Sequence, residues 1–376
     1  MKKNLLTFVA LLLSICATTV KAESLQTAVL VEVMDSIVQR SSDGAPYSKS
    51  EYYYGAQGKR TAFISYSWNV ANNRWEYSYK YGYAYDANGY RSLEIYYRWD
   101  NVANTWRETE KIAYTNDAQG NYLMVTNYQW NTSTSTWVEN FKFEYTYDAK
   151  GLRLSETRYQ KDNTTNAWVN DYRYEYTYDE KGNQLTQIAS NWNKTTDMWE
   201  ISYKTRNEYT YDSKGNKTIA IYYSWDKYTD TWTTTNREEC TYDSKGNVLT
   251  VQCYNWNESI MSWDLYYKYE YNYDAQGKLF SMTSYRMEST WVEATQTRYT
   301  YDEQGTNVSY SAYDWDKANQ DWAMNFSVEY YFHYGEEAVP EIFGGQSSKS
   351  EKIFRNGQLL IRQGNKTYNV MGGRMK

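Results

Sequence analysis

Few residues in this chain could do chemistry: one histidine, three cysteines, a recurring aspartate and two rows of tryptophan. The histidine, His333 in "YFHYG", would have to serve any Ser-His-Asp or Cys-His site. A single histidine among tyrosines is more often packed or exposed than catalytic. No CxxC, HExxH or glycine-rich phosphate loop occurs. Aspartate recurs in turns such as "DEKGN", from Asp179 to Asn183, where its oxygens resemble calcium ligands. A calcium loop gathers several carboxylates, and lysine often occupies these turns, so a structural turn is the better reading. Paired acids could also hydrolyse glycosides. Here, however, the same acids are spread evenly over many copies, which suits a surface rather than one active site. The sequence therefore assigns no catalytic residue, cofactor or metal, and a hydrolase is the third-ranked reading.

The tryptophans are the best functional candidates. They recur as a pair seven residues apart around a polar loop: Trp68 and Trp75, Trp99 and Trp106, Trp130 and Trp137, Trp192 and Trp199, Trp225 and Trp232, Trp256 and Trp263, Trp315 and Trp322. Flat rings stack on sugar faces, and weak sites in series gain from multivalency. The other reading is that the rings pack on one another and staple a hairpin, as cross-strand aromatics do. The second reading is favoured. A polysaccharide or host polymer is the ligand class that the first implies.

The elements that position these rings follow from a repeat. Glycine recurs at Gly58, Gly89, Gly120, Gly151, Gly182, Gly215, Gly246, Gly277 and Gly305, mostly 31 residues apart. Fixed periods of this size mark repeat architectures. "YTYDEKGNQLTQ" reads as strand, turn and strand, with aspartate opening the turn and glycine taking a positive φ. Each unit is a hairpin, so nine units predict about eighteen strands in one antiparallel sheet. Such a sheet twists and must coil or close on itself.

Pairing Asp179 with Asn183 and counting by twos puts Tyr209, Tyr211, Ile219, Ile221, Tyr223 and Trp225 on one face. Glu208, Thr210, Thr218 and Ala220 fall on the other. The aromatic face is expected to turn inward. By the same count Cys240 faces Thr250 and Cys253 faces Arg237. The two thiols then point to opposite faces and stay free.

Lys2 and Lys3, an apolar run from Leu5 to Cys16 and small residues ending at Ala22 form a secretory signal pattern. The run is too short to span a bilayer. The expected organisation is a signal peptide over 1–22, a lead-in over 23–49, nine hairpin units over 50–335, a linker over 336–350 and a C-terminal β tail over 351–376. The net charge of −6 and the lack of a basic block argue against a nucleic-acid partner. An aromatic content of 19% excludes a disordered chain. An outer-membrane barrel would need an apolar lipid-facing band, which neither the hydroxyl-rich nor the charged face offers.

The "YTYDEKGNQLT" core resembles the YD repeats of bacterial Rhs-type surface and toxin-shell proteins. That resemblance implies hairpins coiled into a hollow shell. It covers about a dozen residues per unit, and the 31-residue period with paired tryptophans departs from it. The tail "KIFRNGQLLIRQGNKTYNVMGGRMK" resembles type IX secretion sorting signals of the Bacteroides and Prevotella group. Composition and repeats are similar to tyrosine-rich secreted families of those bacteria. The tail's resemblance implies contact with export machinery and a secreted or surface location. If the tail is an ordinary terminal hairpin, the signal peptide alone implies the periplasm. The expected function is an exported, non-catalytic repeat protein acting as a binding or structural surface, with a shell or scaffold as the alternative.

Overall fold

The computed structural model describes residues 32–334 except 56 and 57, together with short backbone strands between 350 and 375. The expected signal peptide over 1–22 and most of the expected linker over 336–350 lie outside the described residues. So does the side chain of His333.

Twenty antiparallel strands close into one barrel. Strand β1 (Glu32–Ser41) pairs with both β2 (Pro46–Tyr54) and β20 (Asp321–Tyr334), and every intervening strand pairs with its two neighbours in sequence. The described residues are all-β, and closure removes the exposed edges that a long sheet would otherwise present. The count exceeds eighteen because β1 and β20 flank the nine glycine-marked hairpins and pair with each other to close the sheet. The seam between β1 and β20 occupies the place of one more turn, with Glu32 facing Tyr334 across it. Four short strands after residue 349 pair separately as Ser350–Arg355, Gln358–Gln363, Lys366–Asn369 and Arg374–Met375.

The wall is a single layer. Among the described residues only six apolar and eight polar side chains are buried. A closed sandwich would bury a whole inner face, and far smaller barrels are the ones that side chains can fill. Cohesion must therefore come from contacts within the wall.

Each glycine-marked turn is built alike. The Asp86 N–H donates to the Tyr90 carbonyl at 2.8 Å and the Gly89 N–H to the Asp86 carbonyl at 2.9 Å. Asp86 Oδ1 accepts the N–H groups of Asn88 and Tyr90 at 3.0 and 2.9 Å. The aspartate thus serves its own turn. The turns at the other end differ. Apart from Gly44 in the β1–β2 turn, their left-handed residue is not glycine: Asn73, Asn104, Asp197 and Met261 lie at φ 48, 49, 58 and 51. Those values fall inside the left-handed well that Asn and Asp tolerate, whereas Gly120 and Gly246 lie at φ 90, where a Cβ is strained.

The expected faces are overturned by bulges. Between β12 (Met198–Tyr211) and β13 (Lys217–Asp226), Thr210 faces Ile219 but Tyr211 faces Lys217, leaving Thr218 as an extra residue. The Asp–Asn pairing at the turn is right, as Asp179 and Asn183 show. The bulge just beyond it shifts the register by one, and a one-residue shift exchanges faces. Tyr209 therefore shares a face with Ala220 and Tyr222. Glu208, Thr210, Ile219, Ile221, Tyr223 and Trp225 share the other. A second bulge near the tryptophan end, between Tyr222 and Tyr223, leaves Thr235 extra. Aromatics thus occupy both faces rather than one.

The cysteines follow the same correction. Cys240 faces Val251 and Cys253 faces Glu238, so both thiols lie on one face as diagonal neighbours. They are free, but not for the expected reason: diagonal positions are roughly 7–8 Å apart, beyond the usual disulfide span.

The two turn types predict opposite mutational signs. Gly246→Ala, at φ 90, should cost about 1–2 kcal/mol in chemical denaturation, whereas Met261→Asn should stabilise by a few tenths of a kcal/mol or more. Equal effects at the two sites would refute this account.

Candidate functional site

The tryptophan pairs sit where the sequence puts them, at the base of the polar loops. Trp68 faces Trp75 and Trp256 faces Trp263 in direct cross-strand register. Six pairs pack edge to face. Centroids are 5.0 Å apart for Trp68–Trp75, Trp99–Trp106 and Trp315–Trp322. They are 5.1 Å apart for Trp130–Trp137 and Trp192–Trp199, and 5.2 Å for Trp256–Trp263. This geometry suits ring quadrupoles. Two units lack one partner: Trp168 faces Lys161, whose Nζ is 4.7 Å from the ring centroid, and Trp291 faces Met287. The seventh pair, Trp225 and Trp232, faces in register but makes no such ring contact.

A cation from the neighbouring hairpin covers most pairs. Lys80 Nζ lies 4.1 Å from the Tyr97 ring and 5.3 Å from that of Trp106. Lys111 repeats this over Tyr128 and Trp137 at 4.0 and 5.2 Å, and Lys268 over Tyr285 and Trp291 at 4.2 and 5.1 Å. Two residues further on, where the unit has a glutamate, that glutamate joins the cation to the tyrosine. Glu270 accepts from Lys268 Nζ at 2.5 Å and from the Tyr285 hydroxyl at 2.8 Å. Glu51 does the same with Lys49 and Tyr66, each at 2.7 Å. Sequence reasoning missed these cations. Their signal was available: Lys or Arg stands nine residues before most of the recurring glycines, as Lys80 does before Gly89 and Lys268 before Gly277.

The tyrosine four residues before the glycine has another task. Its hydroxyl donates to the carbonyl of the preceding hairpin, two residues after that hairpin's glycine. Tyr85 reaches Arg60 at 2.6 Å, Tyr178 reaches Arg153 at 2.7 Å and Tyr242 reaches Lys217 at 2.6 Å. Where asparagine replaces the tyrosine, Asn116 Nδ2 donates to the Arg91 carbonyl at 3.0 Å.

No catalytic constellation forms among the described residues, and no group of three His, Cys, Asp or Glu side chains could hold a metal. A cavity of about 350 Å³ is lined by Asp212, Lys214, Thr218, Cys240, Tyr242 and Asp243. Burial pushes the Cys240 thiol up, so it is held as an unreactive thiol.

The fold and these contacts define a closed barrel of β-hairpin repeats with aromatic and charged ladders in its wall. No family model matches the chain, and no curated protein matches it. Among solved structures, a protein of unknown function from Bacteroides fragilis is 22% identical over 34% of this chain and 90% of its own, with a TM-score of 0.28. The Tc holotoxin pore of Photorhabdus luminescens is 13% identical over 90% of this chain, which spans 17% of that chain, with a TM-score of 0.34. A porin-like protein from Bacteroides uniformis is 11% identical over 80% of this chain and 98% of its own, with a TM-score of 0.31.

The ladder sets the pH range of the barrel. Burial alone would raise the Glu51 carboxyl, but the Lys49 charge and hydrogen bonds from Lys49, Tyr66 and Tyr53 outweigh it and hold it below the usual range. The Lys268 hydrogen bond does the same for Glu270. Burial, then the Glu270 hydrogen bond, pushes Tyr285 up to about 12. Burial, then the Glu108 charge, pushes Tyr97 to about 12. A raised phenol stabilises the fold fully below its unfolded value of about 10, and that stability is lost as pH rises towards 12. A depressed carboxyl acts in the opposite sense: its stability is present above about pH 4.5 and lost as pH falls. The thermal midpoint should therefore be flat near neutrality, fall from pH 10 to 12, and fall again below about pH 4. A midpoint that does not drop between pH 10 and 12 would rule out the buried phenols as the cause.

Proposed function

We propose that the protein is an exported, non-catalytic barrel that acts as a structural shell or scaffold at the cell surface or outside the cell. The observation that carries this reading is that the wall itself uses the side chains that could have met a ligand. Six tryptophan pairs are closed on themselves, and cations lie over most of them. The repeated tyrosine hydroxyls donate to carbonyls and carboxylates of neighbouring hairpins. This arrangement favours stapling over a multivalent glycan platform that runs through every pair.

Export is supported by the N-terminal pattern ending at Ala22, and contact with secretion machinery by the character of the tail after Glu351. The negative net charge supports a partner other than nucleic acid. Protease added to intact cells of the native host tests the location. It should digest the protein while a periplasmic marker survives; protection of both would place the barrel in the periplasm.

Stapling has its own expected outcome. Trp256→Ala should lower stability by about 2 kcal/mol, from lost apolar contact and the lost ring pair. Trp232→Ala should stay within about 0.5 kcal/mol, as exposed substitutions do. Denaturant midpoints measured on both variants check this, and equal values would remove the stapling role.

A further inference from the structure

One pair departs from the pattern, and it lies where the repeat itself changes length. Gly182 and Gly215 are 33 residues apart instead of 31. The two extra residues displace β12 against β11 (Gln184–Asn193) while leaving its register with β13 regular. Ile188 faces Lys204, eleven residues before Gly215, whereas the regular Ile64 faces Lys80, nine residues before Gly89. As a result β12 carries two cations on the tryptophan face. Lys204 stands in the register of β11, and Arg206 faces Tyr223 in the register of β13.

Arg206 keeps the regular position, 4.2 Å from the Tyr223 ring and 5.5 Å from that of Trp232. Lys204 is the addition, and its Nζ lies 4.0 Å from the Trp225 ring. Trp225 Nε1 donates to Asp230 Oδ1 at 2.9 Å. Trp225 is thus held by Lys204 and Asp230 rather than by the indole it faces. Trp232 is left 39% exposed, the one exposed tryptophan among the sixteen, all of which lie in described residues. Tyr228, at the tip of the same loop, is 87% exposed.

We propose that Trp232, with Arg206 over its ring, Lys204 and Asp230 on the facing Trp225, and Tyr228 in the same loop, is a single carbohydrate-binding platform that takes a hexopyranose oligosaccharide. The solvent-facing part of the Trp232 indole, which lacks a stacked partner, offers a flat apolar surface to the C–H face of a pyranose ring. The Arg206 guanidinium over Trp232 and the Lys204 ammonium over the facing Trp225 donate to sugar hydroxyls, and the Asp230 carboxylate accepts from them. The platform is one site in the barrel, not a property of every pair. It stands independently of the shell reading, which fails if the stacked-pair variants lose no stability.

The test is a tryptophan-fluorescence titration of the full folded chain with maltohexaose, cellohexaose and chitohexaose. At least one probe should give a saturable change. Trp232→Ala should weaken that binding at least tenfold, and Trp256→Ala, in a stacked pair, should leave it unchanged. Should Trp232→Ala fail to fold, Lys204→Ala serves as the second variant and should weaken binding severalfold. Absence of binding by all three probes to the folded protein overturns the proposal, as does equal binding by wild type and the Trp232 or Lys204 variant.

Discussion

A hydroxyl that crosses from one hairpin to the previous one ties this barrel together. The tyrosine before each turn aspartate donates to a carbonyl of the preceding hairpin, from Tyr85 to Arg60 through Tyr273 to Val248. Bulges beside the turns disturb the regular ladder just there, and a disturbed ladder leaves backbone groups in need of partners. The tyrosine supplies one while its ring covers the wall. The exceptions support the rule. Asn116 donates to the same kind of carbonyl. After the two-residue insertion, Tyr209 reaches Gln184 while Tyr211 turns to Asp179 and Asn183. At the seam, Tyr54 donates to the Met34 carbonyl.

This explains how a long sheet with so little buried side chain can hold one shape. Aliphatic burial is the usual source of cohesion, but a single-layer wall has no second layer to bury against. The chain instead uses long amphipathic side chains that lie along the wall and end in a polar group with a partner nearby. Tyrosine, lysine, arginine and glutamate all meet that description. Ion pairs of this exposure are individually weak, so the strength comes from their repetition and from their coupling to the rings. Closure adds the last constraint, since Arg40 on β1 pairs with Glu329 on β20 at 3.3 Å across the seam.

Period, turn chemistry and tryptophan spacing were all legible in the sequence, because each is a local property that recurs. Asp86 and Gly89 announce their turn, and Trp68 and Trp75 announce their loop. The faces were not legible. A glycine ruler counts residues but does not say that Thr218 or Thr235 stands unpaired, and one unpaired residue reverses every face beyond it. The cysteines show the cost, because a correct expectation of free thiols rested on a register that was wrong by one. The lysines over the rings were visible as a period, but a charge at a fixed spacing does not reveal that it reaches across two strands to Trp106.

In a repeat protein the regular positions report on architecture and the irregular ones carry individuality. Six closed tryptophan pairs are interchangeable, and a side chain that is the same in every unit is best explained by what every unit needs, namely attachment to the next. The 33-residue step is different. Its two extra residues are an even number, so they preserve which face each side chain occupies, and the barrel accepts them without reversing its wall. The step also brings a second cation onto the tryptophan face and leaves one indole without its stacking partner. An insertion that serves only length would leave the adjoining pair stacked. This one unstacks it, which makes Trp232 the position where the wall ceases to explain its own residues.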